Sequence, residues 1–270
     1  MRRLALVLLA ISVPIAPRSG RAQPPSLSAA RLHASVEIDS HGVFVYRYTV
    51  ENGAESTVGI SKLTIDMPSK AVPIFGMSAP QPGWRTTIGA DATARYVAVN
   101  DASLVLPNQR LAGFSLASHS PPALGRFTLA PHIDPDRAPI MDPGDDPGEL
   151  DRYKQDFDQY VEARSVTGMT LAPTAPVKMT ADAVLANVAS QIVQARSLRW
   201  ISSDVVMRSV TQKLQAARAA ISRRQFESAG NILRALRNEV AGQSGKTLTS
   251  EAVALVDVNI QYVLRLVAKP

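Results

Sequence analysis

Phe44-Val45-Tyr46-Arg47-Tyr48-Thr49-Val50-Glu51-Asn52 puts Phe44, Tyr46, Tyr48 and Val50 on one side of a two-residue period, with Arg47 and Thr49 on the other. That alternation is the mark of a half-buried strand. Working outward, Leu32, Ala34, Val36 and Ile38 alternate in the same way, and Ser40-His41-Gly42 between the two runs supplies turn chemistry. The pair is therefore expected to be a hairpin. Asn52-Gly53 ends it, and Ile60, Leu63 and Ile65 predict a third strand with one irregularity of register. Residues 95–99, 111–116 and 126–129 are further short candidates, separated by Pro, Gly and Asn.

Short strands at this spacing predict a β-sandwich of immunoglobulin-like type over residues 23–133. The run from Tyr46 to Asn52 also resembles strands of bacterial surface sandwich repeats. Residues 176–270 carry a different period. Val206, Val210, Leu214, Ala217 and Ile221 step by three and four, as do Phe226, Ala229, Leu233, Leu236 and Val240 before Gly242 and Gly245. Thr249 is placed to cap a last helix striped by Val253, Val256, Ile260, Val263 and Val267, with Leu248 and Val253 as a hydrophobic staple. An earlier helix over 180–199 presents Leu185, Val188 and Ile192. The expected fold class is thus α+β, a sandwich followed by an antiparallel helical bundle.

Met1 to Ala22 reads as a secretory signal peptide: Arg2 and Arg3, an apolar run from Leu4 to Ile15, and Gly20 and Ala22 before the cut. The mature chain is expected to be periplasmic or extracellular. The segment holds four arginines and no acid, so its removal takes the formal charge from +6 to +2. Nucleic-acid binding through bulk charge is not expected at that balance. With no Cys in 270 residues, a disulfide scaffold, a thiol nucleophile, thiolate zinc sites and iron–sulfur ligation are excluded.

Residues 134–175 form a third part. From Asp134 to Glu162 ten acids face Arg137, Arg152 and Lys154, and Pro135, Pro139, Pro143 and Pro147 keep its first half irregular. Asp146 and Pro147 are placed to start a helix with the stripe Leu150, Tyr153, Phe157 and Tyr160. Met169-Thr170-Leu171 would then return as a last strand, making the acidic part an insert. Asp134, Asp136, Asp142, Asp145, Asp146 and Glu149 are candidate calcium ligands, since calcium takes carboxylate oxygen, although the spacing is not that of an EF-hand. The competing expectations are a solvated loop and an insert lying against the basic bundle, where thirteen Lys or Arg face six acids.

No Gly-x-Ser-x-Gly elbow frames a nucleophile, and His33, His41, His119 and His132 read as ordinary loop histidines. Trp84 reads as core rather than an exposed sugar platform. Arg218, Arg223, Arg224, Arg234 and Arg237 read as a solvated helix face. Lys213-Leu214-Gln215-Ala216-Ala217, Asn231-Ile232-Leu233, Asn238-Glu239-Val240, Gly245-Lys246 and Gln261-Tyr262-Val263 together resemble the FIMAH domain of bacterial secreted multidomain proteins. That resemblance spans residues 201–266, departs from the family around the middle helix, and implies extracellular residence in an accessory role. The functional expectation is a non-catalytic exported module that binds an envelope or extracellular protein or glycan, with no cofactor. The alternative is an accessory ligand- or glycan-binding protein, or a hydrolase, with a calcium-dependent site in the sandwich loops.

Overall fold

The structure is a computed structural model that describes residues 26–68, 73–80, 82–134, 147–174 and 179–268. Its elements in chain order are β1 (Ala30–Ile38), β2 (Phe44–Asn52), β3 (Ile60–Asp66), β4 (Ile74–Ser78), β5 (Trp84–Ile88), β6 (Thr93–Ala98), β7 (Gln109–Ser118) and β8 (Pro122–Pro131). Then follow α1 (Pro147–Glu162), β9 (Val166–Pro173), α2 (Ala181–Ser197), α3 (Asp204–Ser222), α4 (Phe226–Gln243) and α5 (Ser250–Val267). The strands make two antiparallel sheets, ordered β1-β2-β7-β4 and β5-β6-β3-β8-β9. No helix among the described residues is long and apolar enough to cross a membrane.

The expected β1–β2 hairpin forms, with Ala30 opposite Asn52 at one end and Ile38 opposite Phe44 at the other. Its turn is fixed by Asp39, whose Oδ1 accepts the N–H groups of His41 and Val43, both at 2.8 Å. Those bonds hold the Asp39 carboxyl below its ordinary range, that from Val43 most of all. The inward residues Phe44, Tyr46, Tyr48 and Val50 are fully buried between the sheets. Their hydroxyls do not go unpaired: Tyr46 donates to Ser120 O at 2.8 Å and Tyr48 to Leu171 O at 2.9 Å. On the opposite sheet Tyr96 donates to Ser115 O at 2.7 Å, so the aromatic core is also a set of polar staples between sheets.

The irregularity expected in β3 is present as a shift between Ile60 and Lys62 against β8. A second bulge lies in β7, where Tyr48 faces Phe114 but Thr49 faces Ala112, leaving Gly113 between them at φ +102°. Glycine is required there twice over: the conformation is left-handed, and a Cβ would come within 2.9 Å of Pro80 Cβ. The acidic insert leaves from β8 and returns as β9, which pairs with β8 from Pro122–Pro173 to Leu129–Val166.

Trp84 is core, with its indole N–H donating to Ser103 O at 2.9 Å. Strand β4 is not anticipated by the alternation, because its five residues carry no clear period of exposure and its pairing is broken between Ile74 and Gly76.

The helices pack in sequence, and α5 closes back on α2. The stripe expected for α5 is too narrow. Glu251, Ala252, Ala254, Leu255, Val256, Val258, Asn259, Ile260 and Val263 are all buried, while Val253 and Val267 are only half-buried. The reason is that α5 touches α2 and α4 on one side and β1 on the other, so it is apolar nearly all round. One hydrophobic core therefore runs through sheets and helices together. Polar bonds tie the halves: buried Asn259 Nδ2 donates to Pro122 O at 2.9 Å, Leu124 N–H donates to Gln191 Oε1 at 2.7 Å, and Arg265 donates to Asp39 O at 2.8 Å.

Within the bundle, Arg218 forks onto Asp182 at 2.7 and 3.2 Å, tying α3 to the start of α2. The Arg218 hydrogen bond holds the Asp182 carboxyl below its ordinary range, against the opposing effect of burial. A carboxyl lowered in the fold stabilises it above the unfolded value, and that stability is lost as pH falls through the lowered one. Both side chains are more than a third exposed, so Arg218→Gln should cost under about 1 kcal/mol at neutral pH. The difference between the two proteins should close as pH falls through and below the ordinary carboxylate range, as read from urea midpoints. A gap that persists in acid would show the pair is not its source.

Candidate functional site

A cleft of about 560 Å³ opens where the sheets meet the helices, lined among others by Arg31, His33, Thr167, Arg199, Trp200 and Glu251. Three pieces of chain build it. Strand β1 supplies Arg31 and His33 from its outward positions. His33 stands opposite Thr49 on β2 and Arg31 opposite Glu51, so His33 and Glu51 are diagonal neighbours on one face. The imidazole Nε2 lies 3.2 Å from Glu51 Oε2.

The second piece is the end of α2. Leu198 N–H donates to Gln194 O, and Trp200 N–H reaches back to Ala195 O at 2.9 Å, with Arg199 between them at φ +61°. This is the left-handed helix cap in which glycine is usual, here occupied by arginine. The cap swings Trp200 into the cleft wall, half-buried. Arg196 fastens the loop by donating to Ile201 O at 3.1 Å and to Asp204 Oδ1 at 2.8 Å.

The third piece is the start of α5, capped by Thr249 Oγ1, which accepts the Ala252 N–H. Thr249 N–H in turn donates to Trp200 O at 2.9 Å, joining this piece to the second. The next turn begins with Glu251, whose side chain is 10% exposed. Its Oε1 accepts the Ala34 N–H at 3.3 Å and its Oε2 accepts the Ser250 hydroxyl at 3.2 Å. A carboxylate is favoured at a helix N-terminus, and here it also satisfies a backbone donor on the outer edge of β1. His33 Nδ1 stands 3.9 Å away, so the imidazole lies between two carboxylates, one from each half of the fold. Ser250 bonds to Glu251, which puts the carboxylate between hydroxyl and imidazole. In a nucleophilic triad the imidazole takes the middle place instead.

Of the candidate calcium ligands, Asp136, Asp142, Asp145 and Asp146 lie outside the described residues. Asp134 follows β8, and Glu149 is exposed in the first turn of α1. Among the described residues no three His, Asp or Glu converge as a metal site. Helix α1 runs beside β8, and its Asp158 and Glu162 line a depression with Lys62, Thr64 and Thr128. In the described half of the acidic insert, Asp158 and Glu162 thus border β3 and β8, while Glu149, Asp151 and Asp156 are exposed. His41 is exposed in the β1–β2 turn, and His119 stands against Phe75, with ring centroids 4.8 Å apart. Arg237 is bonded to Asp257 and Arg234 to Asn231, so much of the basic helix face is engaged within the bundle.

No family model and no curated protein matches this chain. Among solved structures it is similar to an uncharacterized protein from Nocardia farcinica described as having an immunoglobulin-like fold. The identity is 14%, the match covers 53% of this chain and 99% of that one, and the TM-score is 0.30. A likeness of that size carries no argument about fold or role.

Proposed function

We propose that the chain is a non-catalytic exported interaction module of the cell envelope or extracellular space, an immunoglobulin-like sandwich braced by a helical bundle. One observation carries this reading: the helices cover the β1 side of the sheets and leave the opposite edges open. Among the described residues nothing pairs with the outer edge of β4 or of β5. Each edge bears a large exposed apolar side chain, Phe75 at 55% and Ile88 at 52%. Phe75 sits at the break in β4 pairing, and Ile88 closes β5.

The orientation of β5 fits capture of an extended segment of a partner protein. Val99 N–H donates to Gly83 O and Gly89 N–H to Thr93 O, both at 2.8 Å. Alternation along an antiparallel pair then turns residues 83, 85, 87 and 89 toward β6. The backbone groups of Thr86 and Ile88 therefore point away from the sheet, as strand addition requires. The FIMAH-like motifs of residues 201–266 and the signal-like first 22 residues support the accessory, exported part of the reading.

Thr86→Pro removes an outward N–H without touching the β6 ladder, and Ile88→Lys charges the same edge. Affinity capture from native envelope extract should retain a protein with the parent chain and with Val205→Lys on the exposed face of α3. Both edge variants should lose it. Retention of nothing by the parent, or retention indifferent to both edge variants, would overturn the reading.

A further inference from the structure

We infer that the cleft between β1, the α2 cap and the α5 N-terminus is a binding site for a neutral sugar, one or two rings of a glycan. This goes beyond the reading above, since it uses neither open edge. At about 560 Å³ the cleft falls within the usual range for small-ligand sites, and it lies at the junction of two structural units, where such sites concentrate.

Its chemistry selects the ligand class. Arg31 and Arg199 are exposed on its lining, and Glu251 contributes a nine-tenths buried carboxylate to it, while Glu51 lies behind His33 outside the lining. The lining therefore carries both signs of charge. The Glu251 carboxylate opposes an anionic ligand beside it and the arginines oppose a cationic one. A ring of hydroxyls suits both, because each hydroxyl donates and accepts. Glu251 spends one bond per oxygen on neutral donors, Ala34 N–H and Ser250 Oγ, and so keeps lone pairs for sugar hydroxyls. Arg31 and Arg199 offer donors without acceptors. Trp200 adds a partly buried apolar ring system, backed by the core, to the same wall, and among the described residues its indole N–H has no acceptor. An aromatic face flanked by donors and acceptors matches a pyranose, which has C–H faces and a hydroxyl rim.

The parts are also held in place before any ligand arrives. The Trp200 main chain is bonded to Ala195 and Thr249, Arg196 grips the loop, and Glu251 is fixed to β1. Little ordering is left to oppose binding.

The test is a titration of the whole protein with cellobiose, maltose and chitobiose, read by tryptophan fluorescence and by NMR shifts. Saturable binding of at least one disaccharide in the millimolar range or tighter is expected, with an emission change that Trp200→Leu abolishes. Glu251→Gln, whose amide oxygen can still accept the Ala34 N–H, should weaken binding about tenfold. Trp200→Phe keeps a ring and should retain part of the affinity, which separates loss of stacking from loss of fold. No saturable response to any of the three sugars overturns the inference, as does a response untouched by the Trp200 and Glu251 variants. Butylammonium is the contrasting probe. If it binds more tightly than every sugar and loses affinity in Glu251→Gln, the cleft is a cation site and the sugar assignment fails. None of these outcomes bears on strand capture at β5, which the edge variants test separately.

Discussion

Phe114→Ala should destabilise the protein by about 4 kcal/mol, the largest single loss expected from one truncated side chain. Phe114 on β7 is fully buried and meets two rings of the facing sheet edge to face. Trp84 lies at 4.9 Å and 84°, Tyr96 at 5.4 Å and 78°. Each such ring pair adds about 0.5–1.5 kcal/mol to plain burial. The site also cannot collapse easily. Trp84 is anchored through its indole to Ser103 O, Tyr96 through its hydroxyl to Ser115 O, and the backbone beside Phe114 is fixed by the Gly113 bulge. Neighbours that cannot move inward leave a void, so the cost belongs in the upper part of the usual range. A loss of that size is a large share of the stability of an ordinary domain and should lower the melting temperature by roughly 10 °C. Phe114→Leu keeps most of the volume and should cost about 1–2 kcal/mol. Calorimetry of the three proteins checks both numbers. Equal losses for Leu and Ala would show that ring geometry, rather than the cavity, sets the cost.

The parts of this fold legible in the sequence are those where one residue's neighbours are its chain neighbours. Alternation in β1 and β2 shows because one face is buried and the other is wet. The three-four steps of α3 show for the same reason, and Val206, Val210, Leu214 and Ala217 are all buried. Strand β4 is illegible because it is short and bulged at an open edge, where packing imposes no period. Helix α5 misleads in the other direction, since a helix packed on two sides carries apolar residues on every face. The ends of α2 and α3 are hidden too. Arg199 and Arg224 hold the left-handed positions, at φ +61° and +57°, where a glycine would have been readable. The cleft is the least legible part. His33 and Glu251 stand 218 positions apart, and neither has a local motif. Only the docking of α5 on β1 brings them together, and that docking has no sequence signal beyond the surplus of apolar residues on α5.

That docking carries the last expectation, that sheets and helices unfold as one unit. Leu255 tests it. It lies on α5 four residues after Glu251 and four before Asn259, the two side chains that bond to the sheets at Ala34 N and Pro122 O. It is fully buried and belongs to the common core, and one turn beyond Asn259 the Tyr262 ring meets Phe44 of β2 edge to face at 5.4 Å. Leu255→Ala should therefore cost about 3 kcal/mol. The informative readout is its form. With one shared core, the melting curve should stay a single transition that moves to lower temperature as a whole, with calorimetric and van't Hoff enthalpies still in agreement. In a Trp200→Phe background, where Trp84 is the remaining tryptophan, emission and helical circular dichroism should shift together, since Trp84 reports on the sheets while most of the helix lies in the bundle. Two separated transitions in the parent protein, or a Leu255→Ala variant whose helices melt while the Trp84 signal stays native, would show that the bundle is only appended to the sheets. In that case the sugar cleft, which exists only while β1 and α5 remain docked, would close and open with the seam. Its affinity should then fall with temperature well before the sheets themselves unfold. With a single core, the cleft instead keeps its shape up to the global transition, and the Leu255 variant should bind as the parent does at any temperature where it is folded.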